Sequence, residues 1–442
     1  MASPVDVYIP KVVVAHPNAQ HSHKLAVALQ KAGMLQAYCT GLYTAWNQPP
    51  FNYLTWLPHP LRKRIEKKVF HRFRRNHPEL DPARVKTIGI WSNIAMATLF
   101  RAGAKTPWAM NGFQNQLARF QQQVAEISRA TADIMVLYDM NAYFGLLATE
   151  NTTIIRVLDM ASTHPIVRNE VYRVEAARWP AFSDQMVILS RQSLRFAQLQ
   201  LEPIMADYLL VGSEWVKSTC VANGVTPERI YVVHYGVDTT LFYPRNLQSD
   251  VRLKPFCILY IGNASTGKGF PYLIQTLQLL TDLDIELICC GVNSGQLSVN
   301  QDLGRVRLSF KGYQSHGEIA RLMRESDMLF HPTVLEGFSL TCLEAMASGL
   351  PVLTTPRSGT AEIIEDGHNG FVVPVGNIEA MQKVVNRLYQ KPEFGRQVAM
   401  AARATAEKYS WGTYEQKIGQ VFSEIYRRGK PQIQIQEGVR VT

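Results

Sequence analysis

Hydrophobic and polar positions follow one another along this chain in a repeating order of apolar run, polar loop and helix-spaced segment. Residues 7–15 are apolar and β-branched, residues 16–22 are polar, and residues 24–32 have helical spacing that stops at Gly33. This order predicts a strand, a loop and a helix. Strands that alternate with helices are typical of parallel sheets, so we predict an α/β protein.

The second half of the chain begins with the same order of elements. Residues 256–261 are predicted as a strand, residues 263–269 as a loop and residues 270–281 as a helix. Ser315 and Glu318 have the spacing of a capping box, which opens a helix. Further strands are predicted at 285–290, 307–310, 327–331 and 350–354. The repeat predicts two similar domains, and 46% hydrophobic residues in a chain of 442 can supply two cores.

A linker between these domains is predicted from Pro244 to Pro255, where polar residues lie between the two prolines. The first domain is then predicted to cover residues 1–245 and the second residues 250–408. Residues 430–442 are predicted to form a disordered tail.

Two glutamates eight positions apart flank a predicted helix N-terminus. Glu336 follows the predicted strand at 327–331, at the sheet edge where open α/β sheets bind ligands. Ser339 suits the N-cap of a helix that extends to residue 348, and Glu344 falls on the polar arc of that helix. Because free N–H groups at a helix N-terminus bind anions, the segment predicts a phosphate site flanked by carboxylates.

The segment from Glu336 to Glu344, with Pro332 before it and residues 349–352 after it, resembles the E-x7-E signature of the family 4 retaining glycosyltransferases. Similarity to that family extends to residues 206–214, 235–238, 242–244, 261–262, 268–269 and 358–370. The family has the GT-B fold, two Rossmann-like domains that face each other across a cleft. The resemblance also implies a C-terminal helix, residues 409–428, that crosses back to the first domain.

The resemblance implies a nucleotide-diphosphate sugar as the donor and assigns its contacts. Glu336 would contact the hydroxyls of the donor sugar, Glu344 those of the ribose, and Lys268 the diphosphate, where negative charge develops as the glycosidic bond breaks. Tyr313 is a candidate contact to the base, and the alternative is an aromatic side chain that covers the core edge. The predicted donor site comprises Gly262, Asn263, Lys268, Gly269, Tyr313, Glu336, Gly337, Phe338, Ser339, Leu340 and Glu344.

Binding of the diphosphate differs from the family pattern at one position. The N–H groups of Gly337, Phe338 and Ser339 would cradle the distal phosphate. The family usually has an arginine directly after the glycine that corresponds to Gly262, whereas this chain has Asn263. Because asparagine carries no charge, either Lys268 alone neutralises the negative charge of the diphosphate or another basic residue reaches the site.

The acceptor side of the cleft is predicted to begin after the apolar run at 154–158. Asp159 and His164 follow it, where the family often has a histidine or an acid that faces the donor sugar. Both are candidates for sugar or acceptor contact and for proton handling, although a loop cap is an equal alternative for His164. The predicted catalytic set is therefore Glu336, Lys268, His164 and Asp159, with no covalent nucleophile.

Neither a metal site nor a cofactor is predicted. The D-x-D triplet at residues 282–284 precedes a strand, so we interpret it as a turn, and the histidines lack metal-ligand spacing. The six cysteines have no C-x-x-C spacing, which predicts reduced thiols and a cytoplasmic protein. No secretion signal and no membrane-spanning segment are predicted.

The formal charge of +10 is densest at residues 57–75, where apolar residues recur every four positions among basic ones. Such a helix can lie on an anionic membrane surface and bring the protein to a lipid-linked acceptor. The alternative is a core-facing helix with a solvated basic face. A nucleic-acid partner is not expected, because no recognition motif accompanies the patch.

The leading hypothesis is a retaining glycosyltransferase that moves a sugar from a nucleotide-diphosphate sugar to a hydroxyl of a glycan or lipid-linked acceptor. One alternative is a nucleotide-sugar epimerase, which has the same scaffold. Another is a non-catalytic nucleotide-sugar-binding protein, which Asn263 favours.

Overall fold

Two parallel β-sheets, one in each half of the chain, organise the molecule. A computed structural model describes residues 8–18, 21–45, 47–48, 51–65, 77–90, 92–93, 107–183, 186–245, 255–292 and 303–431. The predicted tail lies outside these residues from position 432 onward, and the predicted basic helix lies outside them from position 66 to its end.

The N-terminal sheet has seven parallel strands in the order β3-β2-β1-β4-β5-β6-β7. The strand order reverses between β1 and β4, and loops at such a switch point form a crevice at the carboxyl ends of the strands. The strands are β1 (Val12–His16), β2 (Leu35–Thr40), β3 (Val85–Thr87), β4 (Ile134–Tyr138), β5 (Ile155–Met160), β6 (Tyr208–Val211) and β7 (Ile230–Val232).

The C-terminal sheet has six parallel strands in the order β10-β9-β8-β11-β12-β13, which repeats the order of the first sheet. Its strands are β8 (Phe256–Ile261), β9 (Ile285–Cys290), β10 (Arg307–Gly312), β11 (Met328–Phe330), β12 (Val352–Thr354) and β13 (Phe371–Val372). The predicted α/β class with two Rossmann-like domains is confirmed.

Helices cover the faces of both sheets. Those of the N-terminal half are α1 (Ser22–Lys31), α2 (His59–Ile65), α3 (Pro107–Thr131), α4 (Tyr143–Ala148), α5 (Pro165–Arg178), α6 (Leu194–Met205) and α7 (Glu214–Val221). Those of the C-terminal half are α8 (Phe270–Gln278), α9 (His316–Glu325), α10 (Leu340–Ala347), α11 (Ile378–Gln390), α12 (Pro392–Ala406) and α13 (Trp411–Arg428). Within the described chain, no helix is both long enough and apolar enough to cross a bilayer.

The last helix returns to the N-terminal domain, as predicted. Helix α13 packs on α1, and Lys31 Nζ lies 2.8 Å from Glu415 Oε1. At the far end of the helix, the hydroxyl of Tyr231 donates to Glu424 Oε1 at 3.0 Å. The turn into this helix packs closely against Gly236, where any Cβ would overlap the backbone of Ser410. The chain therefore crosses between the domains at two adjacent places.

Buried polar groups are paired beneath the first sheet. Arg156 on β5 donates from Nη2 to Asp207 Oδ1 at 2.7 Å and from Nε to Oδ2 at 3.1 Å. Both side chains are buried, so removal of either would leave an uncompensated charge. All six cysteines are free and buried, as predicted.

A left-handed glycine holds the loop that carries Lys268. Residues Thr266–Lys268 form one turn of 3-10 helix, and Gly269 follows it with φ of +71° before α8 begins. A Cβ at Gly269 would overlap the carbonyl oxygen of Pro332. The loop and the segment after β11 can therefore meet only with glycine at this position.

We expect Gly269→Ala to lower the free energy of unfolding of the C-terminal domain by about 2 kcal/mol or more, because the left-handed conformation and the overlap both disfavour a side chain. Thermal and urea unfolding measure this change. Gly317→Ala on α9 is the matched control, since a Cβ there meets no atom within 4 Å. Equal stability of the two variants would contradict the assignment.

Candidate functional site

A small cavity opens between the domains at the carboxyl ends of the two sheets. Its volume is about 180 Å³. The N-terminal domain contributes the loop after β5 and the first turns of α5, and the C-terminal domain contributes the loops after β8 and β11. The lining includes Ala161, Ser162, Arg168 and Tyr172 from the first domain and Asn263, Lys268, Glu336 and Gly337 from the second.

Two of the lining residues, Lys268 and Glu336, form an ion pair. The two side chains come from different loops of the C-terminal domain, and both are partly exposed to the cavity. Burial opposes the positive charge, but the Glu336 carboxylate more than offsets it, so the pKa of Lys268 lies above its usual value. The structure thus brings together two of the four predicted catalytic residues, with the lysine protonated.

The loop after β8 is fixed by its own hydrogen bonds. Gly262 has φ of +153° and donates its N–H to the carbonyl oxygen of Cys290 at 2.9 Å. The carbonyl of Asn263 accepts from the hydroxyl of Tyr260 at 2.6 Å, and its Oδ1 accepts from Ser265 Oγ at 2.6 Å. Asn263 therefore lines the cavity with an amide whose oxygen is already engaged.

Gly337 brings the second domain into backbone contact with the first. A Cβ at this position would overlap the carbonyl oxygen of Ala161. The carbonyl of Gly337 accepts from Ser213 Oγ of the first domain at 2.7 Å. Ser213 also accepts from Val216 N–H at 3.2 Å as the N-cap of α7. The predicted donor loop is thus anchored to both the β5 loop and α7.

Helix α10 begins as predicted, but some of its N-terminal N–H groups already donate to side chains of the protein. Ser339 is the N-cap and accepts from Cys342 N–H at 3.3 Å. Its own N–H donates to Thr360 Oγ1 at 2.9 Å. A phosphate contact of this N–H stays a prediction, and it would require the phosphate to replace the hydroxyl of Thr360. The N–H of Leu340 is among the first of the helix, where no intrahelical acceptor exists.

Phe338 has a packing role in addition to any backbone contact. Its side chain is buried, and its ring lies 5.7 Å from that of Tyr235 and 5.8 Å from that of His234, both in the first domain. Aromatic contacts of this kind stabilise an interface beyond the area they bury. The sequence pattern for a phosphate loop does not reveal this role.

Glu344 is partly buried on α10, one and a half turns into the helix. Burial raises the pKa of its carboxyl to about 8. A carboxyl in this environment is protonated at neutral pH until a hydrogen-bond donor or a cation approaches.

Tyr313 directly follows β10 and is 84% exposed. This exposure contradicts the alternative that its ring covers the core edge. A contact of Tyr313 with a nucleotide base stays a prediction.

Asp159 lies at the carboxyl end of β5 and is buried in a polar cluster of the first domain. His21 Nε2 lies 3.3 Å from Asp159 Oδ1 and 3.1 Å from the hydroxyl of Tyr235. Asp159 Oδ2 is buried, and the described chain gives it no hydrogen-bond partner. The side chain of Asp159 therefore contacts His21 within the first domain, and its contact with a sugar or an acceptor stays a prediction.

His164 caps a helix instead of facing the cavity. Its Nδ1 accepts from Ile166 N–H at the start of α5, and its backbone N–H donates to Thr219 Oγ1 at 3.1 Å. The ring is buried, and burial lowers the pKa of His164 to about 4. The alternative of a loop cap therefore matches the structure, because Pro165 begins a helix whose N–H groups need a cap, and a sugar contact of His164 stays a prediction.

Two residues that line the cavity were not predicted from the sequence pattern. Arg168 and Tyr172 lie one turn apart on α5 and face the loop of Lys268. Tyr172 is near enough to the lysine and to Glu336 for both charges to act on the pKa of its hydroxyl. Their location just after the carboxyl end of β5 is the signal that could have identified them.

No metal centre was predicted, and the described residues contain no group of three His, Cys, Asp or Glu side chains placed to hold a metal ion. Asp282 and Asp284 lie in the turn between α8 and β9, as predicted, and Asp284 Oδ1 lies 3.0 Å from Arg307 Nη2.

Comparison with known proteins identifies similarity in the second domain. The family model described as "Glycosyl transferases group 1" matches residues 246–405. An MMP alpha-(1->4)-mannosyltransferase of Mycolicibacterium hassiacum is 28% identical over 275 residues, which are 60% of this chain and 64% of that protein. A D-inositol 3-phosphate glycosyltransferase of Mycobacterium bovis is 26% identical over 250 residues, 51% of this chain and 52% of that protein. The chain thus spans less than two thirds of the length of either relative.

Solved structures resemble the chain over nearly its whole length. HepE of Anabaena, solved in complex with UDP, has a TM-score of 0.60 and 16% identity and covers 94% of this chain and 100% of its own. Sucrose-phosphate synthase of Thermosynechococcus elongatus has a TM-score of 0.62 and 16% identity, with 95% and 100% covered. Both domains and their mutual arrangement therefore correspond to the GT-B fold.

We expect Glu344→Gln to stabilise the protein near pH 8 and to leave its stability at pH 4 almost unchanged. The carboxyl has a pKa of about 8 when folded, against an ordinary value of 4.5, so the unfolded chain loses its proton first. Stability therefore declines as pH rises from about 4.5 to about 8, and glutamine removes this decline. Melting temperatures across pH 4–9 measure the effect. Parallel profiles for both proteins would contradict the raised pKa.

Proposed function

We propose that this chain is a glycosyltransferase that takes a sugar from a nucleotide-diphosphate sugar. The observation that carries the proposal is the ion pair of Lys268 and Glu336 in the interdomain cavity. It lies in the segment that matches the group 1 glycosyltransferase model, where a cation and a carboxylate suit a diphosphate and a sugar respectively. The similarity to a mannosyltransferase and a D-inositol 3-phosphate glycosyltransferase supports the same class.

The reaction we propose breaks the bond between the anomeric carbon and the diphosphate oxygen. Lys268 neutralises the negative charge that develops on the departing diphosphate. Glu336 accepts hydrogen bonds from the sugar hydroxyls and holds the ring in place. An acceptor hydroxyl forms the new bond to the anomeric carbon, and its proton passes to the diphosphate.

Same-face attack without a covalent enzyme intermediate retains the anomeric configuration in this proposal. Retention, assignment to family 4 and independence of metal rest on the resemblance of the Glu336 to Glu344 segment. Glu344, with its raised pKa, would contact the ribose, and a protonated or hydrogen-bonded carboxyl suits two adjacent hydroxyls.

A membrane surface is the second partner that we propose. Helix α2 has no buried residue, which disfavours a core-facing role for its described part. Trp56 is 76% exposed and Tyr53 is 63% exposed next to Arg62, Lys63 and Arg64. Aromatic side chains and basic residues together favour an anionic bilayer, where each basic residue contributes about 1 kcal/mol. We infer that the enzyme acts on a lipid-linked acceptor at the cytoplasmic face of a membrane.

Donor turnover distinguishes this proposal from an epimerase and from a binding protein. A transferase releases nucleoside diphosphate when donor and acceptor are present and hydrolyses the donor slowly without acceptor. An epimerase changes the sugar without releasing diphosphate, and a binding protein leaves the donor intact.

We expect Glu336→Ala to abolish transfer without weakening nucleoside diphosphate binding, because the proposed donor contact of the carboxylate is with the sugar and its removal leaves Lys268 positively charged. Glu344→Ala should instead weaken nucleoside diphosphate binding about tenfold, as for the loss of a buried hydrogen-bonded contact. Calorimetric titration with UDP, GDP and ADP, together with transfer assays using their sugars, separates the two effects. Absence of binding to every nucleotide would overturn the proposed function.

We expect replacement of Arg62, Lys63 and Arg64 by glutamine to reduce sedimentation with phosphatidylserine-containing liposomes, and high salt to reduce binding of the unmodified protein. The matched control replaces Arg173, Arg191 and Arg321, three exposed arginines elsewhere on the surface. If the α2 variant sediments as well as the control, the membrane proposal fails.

A further inference from the structure

A second cation reaches the cavity from the opposite domain. Arg168 lies in the first turns of α5, and its side chain lines the same cavity as Asn263 and Lys268. The side chain is 13% exposed, so most of its surface packs against protein. The cleft is therefore bordered by a lysine on one side and an arginine on the other.

The guanidinium of Arg168 is oriented by a short network. Its Nη1 donates to Ser162 Oγ at 2.8 Å and lies 3.8 Å from Asp139 Oδ2. Ser162 Oγ in turn donates to the same carboxylate oxygen. Within the described chain, Nη1 is the guanidinium nitrogen that these contacts use, so Nε and Nη2 are available to a ligand.

Asp139 is itself held by a strained turn. The next residue, Met140, has φ of +67°, which is unfavourable for a side chain of its kind. Glu202 stabilises the turn, because its carboxylate accepts from the N–H groups of Met140 at 2.7 Å, Ala142 at 3.0 Å and Tyr143 at 3.1 Å. Strain that the surroundings hold in place is typical of functional sites. The arginine is therefore preorganised before any ligand binds.

Lys268 brings little net positive charge to a diphosphate, because its partner in the cavity is a carboxylate. Lys268 is paired with Glu336, and Asn263 brings no charge at the position where the family that this segment resembles usually has an arginine. Tyr172 lines the same cavity: burial raises the pKa of its hydroxyl, and the charges of both Arg168 and Lys268 act against that shift. The two positive side chains thus act on the same small volume from opposite walls.

We propose that Arg168 binds the diphosphate of the donor and stabilises the charge on the leaving group, and so replaces from the N-terminal domain the arginine that Asn263 lacks. This inference rests on the proposed function and adds a residue to its site. Planar guanidinium groups bind phosphate oxygens with two parallel hydrogen bonds, which the free Nε and Nη2 allow. Because Lys268 belongs to the other domain, the diphosphate would join the two domains across the cleft.

The test compares Arg168→Gln with Arg173→Gln, a control on the same helix whose side chain is 60% exposed and paired with Glu170. Affinities for UDP, GDP and ADP and for the corresponding monophosphates are measured by calorimetry. We expect Arg168→Gln to weaken binding of the preferred diphosphate about tenfold or more, as for the loss of a charged hydrogen bond. The monophosphate should lose much less, and the control should match the unmodified protein.

A second variant tests whether a positive charge placed on the C-terminal domain compensates for the loss of Arg168. In the double variant Arg168→Gln with Asn263→Arg, we expect diphosphate affinity to recover at least partly, because the new arginine follows Gly262 in the same cavity. Arg168→Lys, which keeps the charge and most of the packing, should retain intermediate affinity. Melting temperatures of all variants establish that each is folded.

Three results would separate the possible failures. If the unmodified protein binds none of the diphosphates, the proposed function itself is wrong. If it binds one and Arg168→Gln binds equally well, the assignment of Arg168 is wrong. If Arg168→Gln weakens the mono- and diphosphates by the same factor and Asn263→Arg restores nothing, Arg168 acts only on structure and the inference is overturned.

Discussion

The close approach of Gly337 to Ala161 is the constraint on which the candidate site depends. At this point the backbones of the two domains touch with no side chain between them, and Ser213 ties the carbonyl of Gly337 to the first domain at 2.7 Å. The loop that carries Glu336 is therefore held against the loop after β5. A larger residue at position 337 would separate the domains and move the ion pair away from Arg168.

Given this approach, the charged groups of the cavity divide between the domains. The C-terminal domain contributes Lys268 together with its carboxylate partner Glu336, and the N-terminal domain contributes Arg168 with its network to Asp139. Such a division links ligand binding to domain arrangement, since an anion in the cavity would interact with both walls. Glu344 lies on α10, outside the residues that line the cavity, and burial raises the pKa of its carboxyl to about 8.

Much of the fold could be predicted because its signals are local. The strands at 256–261 and 285–290 match the structure, and the N-cap at Ser339 was recognised from its position before an apolar-periodic helix. Other contacts depend on distant partners. The N–H of Ser339 donates to Thr360, 21 residues away in the chain. The backbone N–H of His164 donates to Thr219, 55 residues away, while its ring caps the helix that begins at Pro165.

The sequence by itself determined the α/β class, the two-domain organisation and the placement of Glu336 and Lys268 on loops at the carboxyl ends of strands. These follow from periodicity and turn chemistry, which act over a few residues. Only the tertiary structure decided that Arg168 and Lys268 border one cavity, that Asp159 contacts His21, and that Thr360 accepts from the N–H of Ser339. Contacts between residues far apart in the chain depend on how the two folded domains pack against each other. A pattern that extends over a few residues does not contain this information.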